Sequence, residues 1–351
     1  MVLLGISLLW ASTWRPGMRH IYSARNIDKW WGVYSSRKGD LMRWAYLSFV
    51  KELNVDDNDH KTIRNARAGD TGTSNTVLYM IGDSYSYAIA DTAFSGLCGY
   101  NYYNRYFDNY CHPDPKKKNI LVIEVSERFI RDFFSDYRLY DHLKDSTIKE
   151  VSVIRLQQSI CYAGLLPQFS MDSLFNKNIN QNLEFNLFNY QFMSPVFELK
   201  AALNYYLFQR TLNAGVVISK DKKYLFFGPT LSSSFNTSSY FPLQSGEGRN
   251  IVNHLNGIYD HYKEMGFAEV YVSIIPNPCT IIQPAGYNNL IPDLQQDSAL
   301  RMKTLDVYSR FKNTQADVYK HADTHWNMTG KQLWINMINE MIASNNHGSS
   351  E

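Results

Sequence analysis

Three short and largely apolar runs constrain the fold of this chain more than any other feature. They are Val77–Ile81, Ile120–Val125 and Val270–Ile275. Runs of this length and composition are typical of strands that are buried on both faces of a parallel sheet. Segments with helical periodicity separate them along the chain. Strands that alternate with helices predict an α/β fold of three layers, with a parallel sheet in the middle.

The spacing of apolar residues predicts the helices that would cover this sheet. One amphipathic stripe covers Ile251–Tyr262, and the clearest one covers Leu333–Ile342. The segment Thr329–Gln332 has the pattern of a capping box at the start of that last helix. Another helix is expected to begin at Asp83 or Ser84, directly after the first strand, because either side chain could cap it.

The same pattern divides the chain into regions. Residues 1–75 form an N-terminal segment, and its apolar run at 2–11 resembles either a truncated export signal or anchor, or a buried first element. Residues 76–345 are expected to form the main domain. Between about 145 and 245 the alternation stops, and this insertion is predicted to contain a helix near 194–213 followed by a β-hairpin. Such insertions often shape the substrate cleft of α/β enzymes.

The composition narrows the classes of function. The chain is 44% hydrophobic with a net charge of +2, and its basic residues are scattered apart from Lys116–Lys118, which argues against a nucleic-acid surface. The aromatic content of 15% fits either core packing or a surface that stacks sugars. The cysteines show no C-x-x-C spacing, which argues against zinc binding. Cys98 and Cys111 could form a disulfide in an oxidising compartment or remain buried thiols.

A serine follows the first apolar run in the segment Ile81–Tyr85. This position lies outside the carboxyl end of a strand, where open α/β sheets bind ligands and where helix-start amides can stabilise an oxyanion. Gly82 would allow a sharp turn and leave space for an incoming acyl carbon. Gly-Asp-Ser by itself is a weak signal, because these common residues also form ordinary capped turns.

A second motif, His321–Trp326, directly precedes the last helix. A serine hydroxyl is a poor nucleophile until a base takes its proton, and that base needs an acceptor on its other nitrogen. We therefore expect Ser84 Oγ to lie within hydrogen-bond reach of His325, and Asp323 to face the other ring nitrogen. An alternative takes His321, Asp323 and His325 as metal ligands on one face of an extended segment, but it leaves Gly-Asp-Ser unexplained.

Together the two motifs resemble the first and last blocks of the SGNH (GDSL) hydrolase superfamily, in that order. The segments Leu121–Arg128 and Ile274–Pro278 are similar to its intermediate strands. The Asp-x-His-Trp and Glu-Arg patterns resemble the alginate O-acetyltransferase-like branch, whose members move acetyl groups onto exported polysaccharides. The resemblance covers roughly residues 76–135 and 265–345. It departs from that branch because the Asp-His pair follows the serine, and from the superfamily because Gly-x-Asn-Asp is missing.

The resemblance implies serine-dependent acyl transfer with Ser84, His325 and Asp323 as the catalytic residues and with no cofactor or metal. It implies O-acetylation of an exported polysaccharide or glycan, with an acyl donor that a membrane acyltransferase could supply. The implied location is periplasmic or membrane-anchored, outside the cytoplasm. An acyl-esterase acting on carbohydrate or lipid with the same triad stays open, as does a non-catalytic glycan-binding protein on the same scaffold.

The missing asparagine leaves the oxyanion hole to other groups. The backbone N–H of the serine is one candidate donor, and Gly82, Arg128 and Asn277 are candidates for the oxyanion hole or for substrate contacts. A structural role is the alternative for each side chain. For Arg128 that role would be an ion pair with Glu124 or Glu127.

Overall fold

The computed structural model describes residues 39–53, 74–87, 89–105, 113–135 and 194–347. The chain divides into two compact units, of which the first spans Met1–Val55 and Glu150–Leu225, and the second spans Asp56–Lys149 and Phe226–Glu351. The boundaries inferred from the sequence, 1–75 and 76–345, stay predictions. The apolar run at 2–11 lies outside the described residues. Within the described ranges, no helix is both long and apolar enough to span a bilayer.

The helices and strands are numbered along the chain. In order they are α1 (Met42–Ala45), β1 (Thr76–Gly82), β2 (Gly99–Asn104), β3 (Lys118–Ser126), α2 (Glu127–Ser135), α3 (Ser194–Phe208), β4 (Val216–Ile218), β5 (Leu225–Phe227), α4 (Glu247–Glu264), β6 (Glu269–Ile275), α5 (Pro278–Ile282), α6 (Leu290–Gln296), β7 (Lys303–Leu305), α7 (Val307–Lys312) and α8 (Met328–His347). Short 3₁₀ segments occur at Asp91–Ala93 and Gly228–Thr230.

The second unit is built on a five-stranded parallel sheet in the order β2-β1-β3-β6-β7. Side chains alternate along each strand, so each strand supplies two cores. Val77, Tyr79 and Ile81 pack with residues of α2, α4 and α6. Leu78 and Met80 pack on the opposite side with residues of α7 and α8. Helices therefore cover both faces of the sheet, and the prediction of an α/β fold with a parallel sheet is confirmed.

The strand order reverses at β1. The chain leaves β1 toward β2 on one side, whereas β3 pairs with the other side of β1. In open α/β sheets, the carboxyl ends of strands at such a reversal border the ligand site. Ser84 follows β1, and Glu124 lies near the end of β3, so both residues lie close to this reversal.

Two elements of the sheet were not predicted. Strand β2 consists of tyrosine, asparagine and glycine that are only half-buried, so it lacks the apolar run that marks a buried strand. It lies at the edge of the sheet, and no described strand pairs with its outer side. Strand β7 has only three residues, Lys303–Leu305, which is too short for a periodic pattern.

Two predicted helix starts are wrong. Residues 83–87 form a turn, and among the described residues only the 3₁₀ segment follows before β2. The Asp83 carboxylate accepts a hydrogen bond from the Tyr85 N–H at 2.9 Å, and such local bonds compete with helix formation. Helix α8 begins before the proposed capping box. Its cap is Asn327, whose side-chain oxygen accepts from the Gly330 N–H at 3.0 Å.

The described part of the first unit contains α1, α3 and β4, and the boundary between the units falls within β5. The predicted pair of strands is confirmed, since β4 and β5 form a two-stranded sheet. Helix α3 starts where expected but ends at Phe208, because Gln209 adopts a left-handed conformation with φ of 53°. Residues 145–193 of the predicted insertion lie outside the described residues.

Cys98 and Cys279 lie in the described part of the chain, and both have free thiols. Cys98 is exposed, so the alternative of a buried thiol is wrong for this residue, and Cys279 is buried with a free thiol. Cys111 and Cys161 lie outside the described residues.

Candidate active site

The structure brings Ser84, His325 and Asp323 into one chain of hydrogen bonds. Ser84 Oγ lies 2.8 Å from His325 Nε2, and His325 Nδ1 lies 2.6 Å from Asp323 Oδ1. Both contacts agree with the expected geometry. Ser84 is exposed, although its neighbours Asp83 and Tyr85 are buried. The hydroxyl is therefore open to a ligand while the turn that carries it is fixed. The catalytic role of the three residues stays a prediction.

Local hydrogen bonds fix the loop that carries the histidine. Asp323 Oδ1 also accepts from the backbone N–H of His325 at 3.0 Å, so one oxygen orients both the ring and the main chain. An isolated β-bridge joins Tyr319 to Trp326 and closes the loop just before α8. Trp326 is buried, and its ring centre lies 5.4 Å from that of Trp334 in α8. The loop is thus attached to the core at its C-terminal end.

Tyr85, next to the serine, joins the nucleophile turn to the histidine loop. Its hydroxyl donates to the Thr324 carbonyl at 2.5 Å, and its ring centre lies 4.8 Å from the His325 ring. The same ring meets Trp326 edge to face at 5.1 Å. Burial raises the pKa of Tyr85 well above its usual value, so the hydroxyl stays a donor. Sequence reasoning missed this residue, although an aromatic side chain directly after the serine was visible.

The electrostatics of the pair define the proton positions. Burial acts to raise the pKa of Asp323, but the hydrogen bond from the His325 ring and the charges of His325 and Lys320 outweigh it and lower this pKa to about 2. Asp323 is therefore a carboxylate at neutral pH and can only accept. It follows that His325 Nδ1 carries a hydrogen, which leaves Nε2 of the neutral ring as the acceptor for the Ser84 proton.

The residue before the serine is held from several sides. Asp83 Oδ2 forms an ion pair of 2.7 Å with Arg105, and both side chains are buried. The Asp83 carbonyl accepts from the Tyr102 hydroxyl at 2.9 Å. Its backbone N–H donates to the buried carboxyl of Glu124 at 2.9 Å. Arg105 and Tyr102 belong to the segment around β2, which sequence analysis did not recognise as a strand.

Two of the three further candidates make contacts with residues other than Ser84. A side chain at Gly82 would meet Ser86 Oγ at 2.1 Å and Glu124 Oε2 at 2.8 Å, so the glycine makes room for these groups and not for an acyl carbon. Ser86 and Glu124 thus occupy the space that was expected for an acyl carbon, and the other expected roles of Gly82 stay predictions. Asn277 is buried, and its amide donates to Ser239 Oγ at 3.0 Å. The structure therefore does not bring the Asn277 side chain to Ser84.

Arg128 remains a candidate for substrate contact. Its guanidinium lies 5.2 Å from the centre of the Phe129 ring. The expected ion pair with Glu124 or Glu127 is wrong, because neither carboxylate lies within 4.0 Å of it among the described residues. Arg128 Nε is buried and has no acceptor in the described part of the chain. No hydrogen bond joins Arg128 to Ser84 there.

The metal interpretation of the histidine loop receives no support from the geometry. His321 Nε2 lies 3.7 Å from the Oδ2 atom of Asp317, which comes four residues earlier in the chain. Ligand atoms of His321, Asp323 and His325 do not gather within 4.8 Å of one another. Both ring nitrogens of His325 are already engaged, by Ser84 and by Asp323.

Comparisons of the chain with protein-family models, with curated proteins and with solved structures found no match. The resemblance to the SGNH superfamily therefore depends on the motifs, and any function must be argued from the site itself.

Proposed function

We propose that this chain is a serine-dependent acyl-transfer enzyme of the SGNH type. The observation that carries the proposal is the hydrogen-bonded series Ser84, His325 and Asp323, with distances of 2.8 Å and 2.6 Å. A nucleophile, a base and a group that orients the base are the minimum set for activating a serine hydroxyl. Among the described residues, Ser84 Oγ has no hydrogen-bond partner except His325, which argues against a simple capping role.

The chemistry follows from these positions. Ser84 Oγ attacks the carbonyl carbon of an ester donor while His325 Nε2 takes the hydroxyl proton, and Asp323 stabilises the imidazolium. The tetrahedral intermediate collapses as His325 returns that proton to the leaving alcohol, which leaves an acyl group on Ser84. An acceptor hydroxyl then loses its proton to His325 and attacks the acyl group. The product ester departs, and the proton returns to Ser84.

The oxyanion that forms in each step needs donors. The backbone N–H of Ser84 has no acceptor among the described residues, and it belongs to the nucleophile itself, so it lies close to the reacting carbonyl. We assign it as the first oxyanion donor. Arg128 is the candidate for a second contact, because its Nε lacks an acceptor there.

The first unit contains a cavity of its own, which is a candidate sugar-binding site. Its volume is about 580 Å³, within the usual range for small-molecule sites, and its walls include Trp44, Tyr46 and Phe197. The Tyr46 and Phe197 rings stack at 4.8 Å, and Trp44 is 42% exposed. Lys200 and Arg210 also line the cavity, whereas no acidic side chain does so among the described residues. Aromatic faces beside two cations suit a sugar that carries a carboxylate.

We propose O-acetylation of an exported polysaccharide or glycan, with the acyl donor supplied by a membrane acyltransferase and with the enzyme outside the cytoplasm. The alternative is an acyl-esterase that uses the same triad with water as the acceptor. One observation favours it: Ser84 is exposed, so water can reach an acyl group there.

The two outcomes can be separated in one experiment. A small activated acetyl ester is supplied with and without neutral or uronate-containing oligosaccharides, and acetylated sugar and free acetate are followed by mass spectrometry. Transfer to either class of sugar supports the acetyltransferase, whereas release of acetate alone supports the esterase. Ser84→Ala should abolish both products, and Ser95→Ala, at an exposed serine elsewhere in the second unit, should leave both unchanged. Products that do not depend on Ser84 would refute both versions.

A further inference from the structure

We propose that Glu124 is the positioning residue of the nucleophile turn and that it performs this role as a neutral carboxylic acid. The inference rests on the proposed function of Ser84. It concerns a buried polar residue in an otherwise apolar strand, which the triad chemistry does not use.

Glu124 holds the turn on both sides of Ser84 with one atom. Its Oε2 accepts from the Asp83 N–H at 2.9 Å and from the Ser86 hydroxyl at 2.8 Å. Glu124 and Ser86 are completely buried. The residues before and after the nucleophile are therefore fixed to a rigid central strand, β3. Because Ser84 lies between the two bonds, they restrict the backbone that carries its hydroxyl and its N–H.

Gly82 shows how closely this arrangement is packed. A Cβ atom at this position would lie 2.1 Å from Ser86 Oγ and 2.8 Å from Glu124 Oε2, closer than real Cβ contacts. The φ angle of Gly82 is not in the left-handed region, so backbone conformation does not require a glycine here. The glycine of the Gly-Asp-Ser motif is thus explained by the contact between Glu124 and Ser86.

The charges around Glu124 favour its neutral form. Arg105 is paired with Asp83 at 2.7 Å, so this guanidinium already balances one carboxylate. Burial and the nearby charge of Asp83 raise the pKa of Glu124 to about 8, while Arg105 acts in the opposite direction. The phenols of Tyr85 and Tyr102 also face this carboxyl and remain neutral because burial raises their pKa values.

The neutral form matters for catalysis. Oε2 already receives two hydrogens, and Oε1 is buried without a partner among the described residues, so the proton of the neutral acid belongs on Oε1. An ionised Glu124 would add a negative charge behind the turn that must stabilise an oxyanion. Glu124 therefore supplies an acceptor for positioning without a charge that opposes the reaction.

The test compares Glu124 with Glu127, which provides a matched control. Glu127 is also buried and accepts from a backbone N–H and a hydroxyl, those of Asn277 and Thr280, at 2.8 Å and 2.6 Å. Each glutamate is changed to Gln and to Ala. The rate of acylation by a fluorophosphonate and by an activated acetyl ester is measured across pH, together with amide hydrogen exchange of the peptide that contains residues 82–87.

We expect Glu124→Ala to lower the acylation rate about 10²-fold and to speed exchange in that peptide, because a small displacement of a reacting group has this cost. Glu124→Gln keeps an oxygen acceptor and should retain the rate to within about tenfold. The wild-type rate should fall above about pH 8 as Glu124 ionises, and Glu124→Gln should lack this fall. Glu127→Ala should change neither the amide hydrogen exchange of residues 82–87 nor the fall in the acylation rate at alkaline pH.

The outcomes separate this inference from the proposed function. If Glu124→Ala does not fold, Ser86→Ala removes one of the two bonds and should give a smaller loss of the same kind. Equal effects of the Glu124 and Glu127 variants, or an alkaline fall that persists in Glu124→Gln, would overturn the inference even with an active enzyme. A wild-type chain that is never acylated would refute the proposed function, and exchange at residues 82–87 would then decide whether Glu124 holds the turn.

Discussion

Replacing Asp323 with asparagine tests the electrostatic part of the site, because this change can keep the geometry and remove the charge. Asp323 uses a single oxygen, Oδ1, for both the ring and the backbone N–H of His325. An amide oxygen can occupy the same place, so the ring orientation can survive. The negative charge of the carboxylate, which stabilises the imidazolium, is lost in this variant. Two unit charges about 4 Å apart interact with about 4 kcal/mol at an effective dielectric constant near 20.

This energy corresponds to a loss of about 10³-fold in kcat/KM for a small activated ester. Asp323→Ala should lose more, since it removes the orientation as well. The control is Asp317→Asn, which alters the other carboxylate beside a histidine in this loop. Asp317 lies 3.7 Å from His321 and is exposed, so the rate should not change. An Asp323→Asn enzyme with nearly wild-type kcat/KM would refute the assignment of Asp323.

The same variant gives a stability prediction with a defined sign. Folding lowers the pKa of Asp323 to about 2, so the ionised form stabilises the native state at neutral pH. The contribution is on the order of 2 kcal/mol, is complete above the unfolded pKa near 4, and is lost as the pH falls through 2. Urea unfolding should show a wild-type advantage over Asp323→Asn at neutral pH that shrinks at acidic pH. A constant difference would contradict the assigned pKa.

Three further predictions concern the surroundings of the site and the cavity. Gly82→Ala should lower the free energy of unfolding by about 1–3 kcal/mol through overpacking, whereas Gly248→Ala, where nothing lies within 4 Å, should not destabilise the chain in thermal unfolding. Tyr85→Phe should cost about 1–3 kcal/mol in denaturant unfolding, because a buried carbonyl of the histidine loop loses its donor. Trp44→Ala should weaken binding of acidic oligosaccharides in calorimetry, whereas Phe235→Ala, at an exposed ring outside the cavity, should not; equal binding by both would argue against sugar binding in this cavity.

The sequence predicted the parts of the fold in which one type of pattern dominates. Strands β1, β3 and β6 are apolar because both of their faces are covered by helices, and α4 and α8 each present one apolar stripe to the sheet. Strand β2 escaped prediction because its half-buried tyrosines do not alternate with polar residues in a regular way. The helix expected after β1 failed because the hydrogen bond from Asp83 to Tyr85 favours a turn over a helix.

The sequence predicted the part of the site whose residues lie close together in the chain. Asp323 and His325 share one loop, and the position of Ser84 after a strand indicated the same edge of the sheet. Long-range partners could not be predicted in this way, because the contacts of Asn277 and Arg105 depend on three-dimensional packing. Glu124 did leave a signal, since a carboxyl group inside an apolar strand is expensive to bury unless it has a specific partner.

The most direct test of the account is labelling of the whole chain with a fluorophosphonate, followed by intact-mass measurement and peptide mapping. We expect one label per chain, located on Ser84, with no label in Ser84→Ala and a strongly reduced labelling rate in His325→Ala. The control His321→Ala should label like the wild type, because His321 faces Asp317. Labelling that persists in Ser84→Ala, or that maps to another residue, would contradict the claim that Ser84 is the nucleophile.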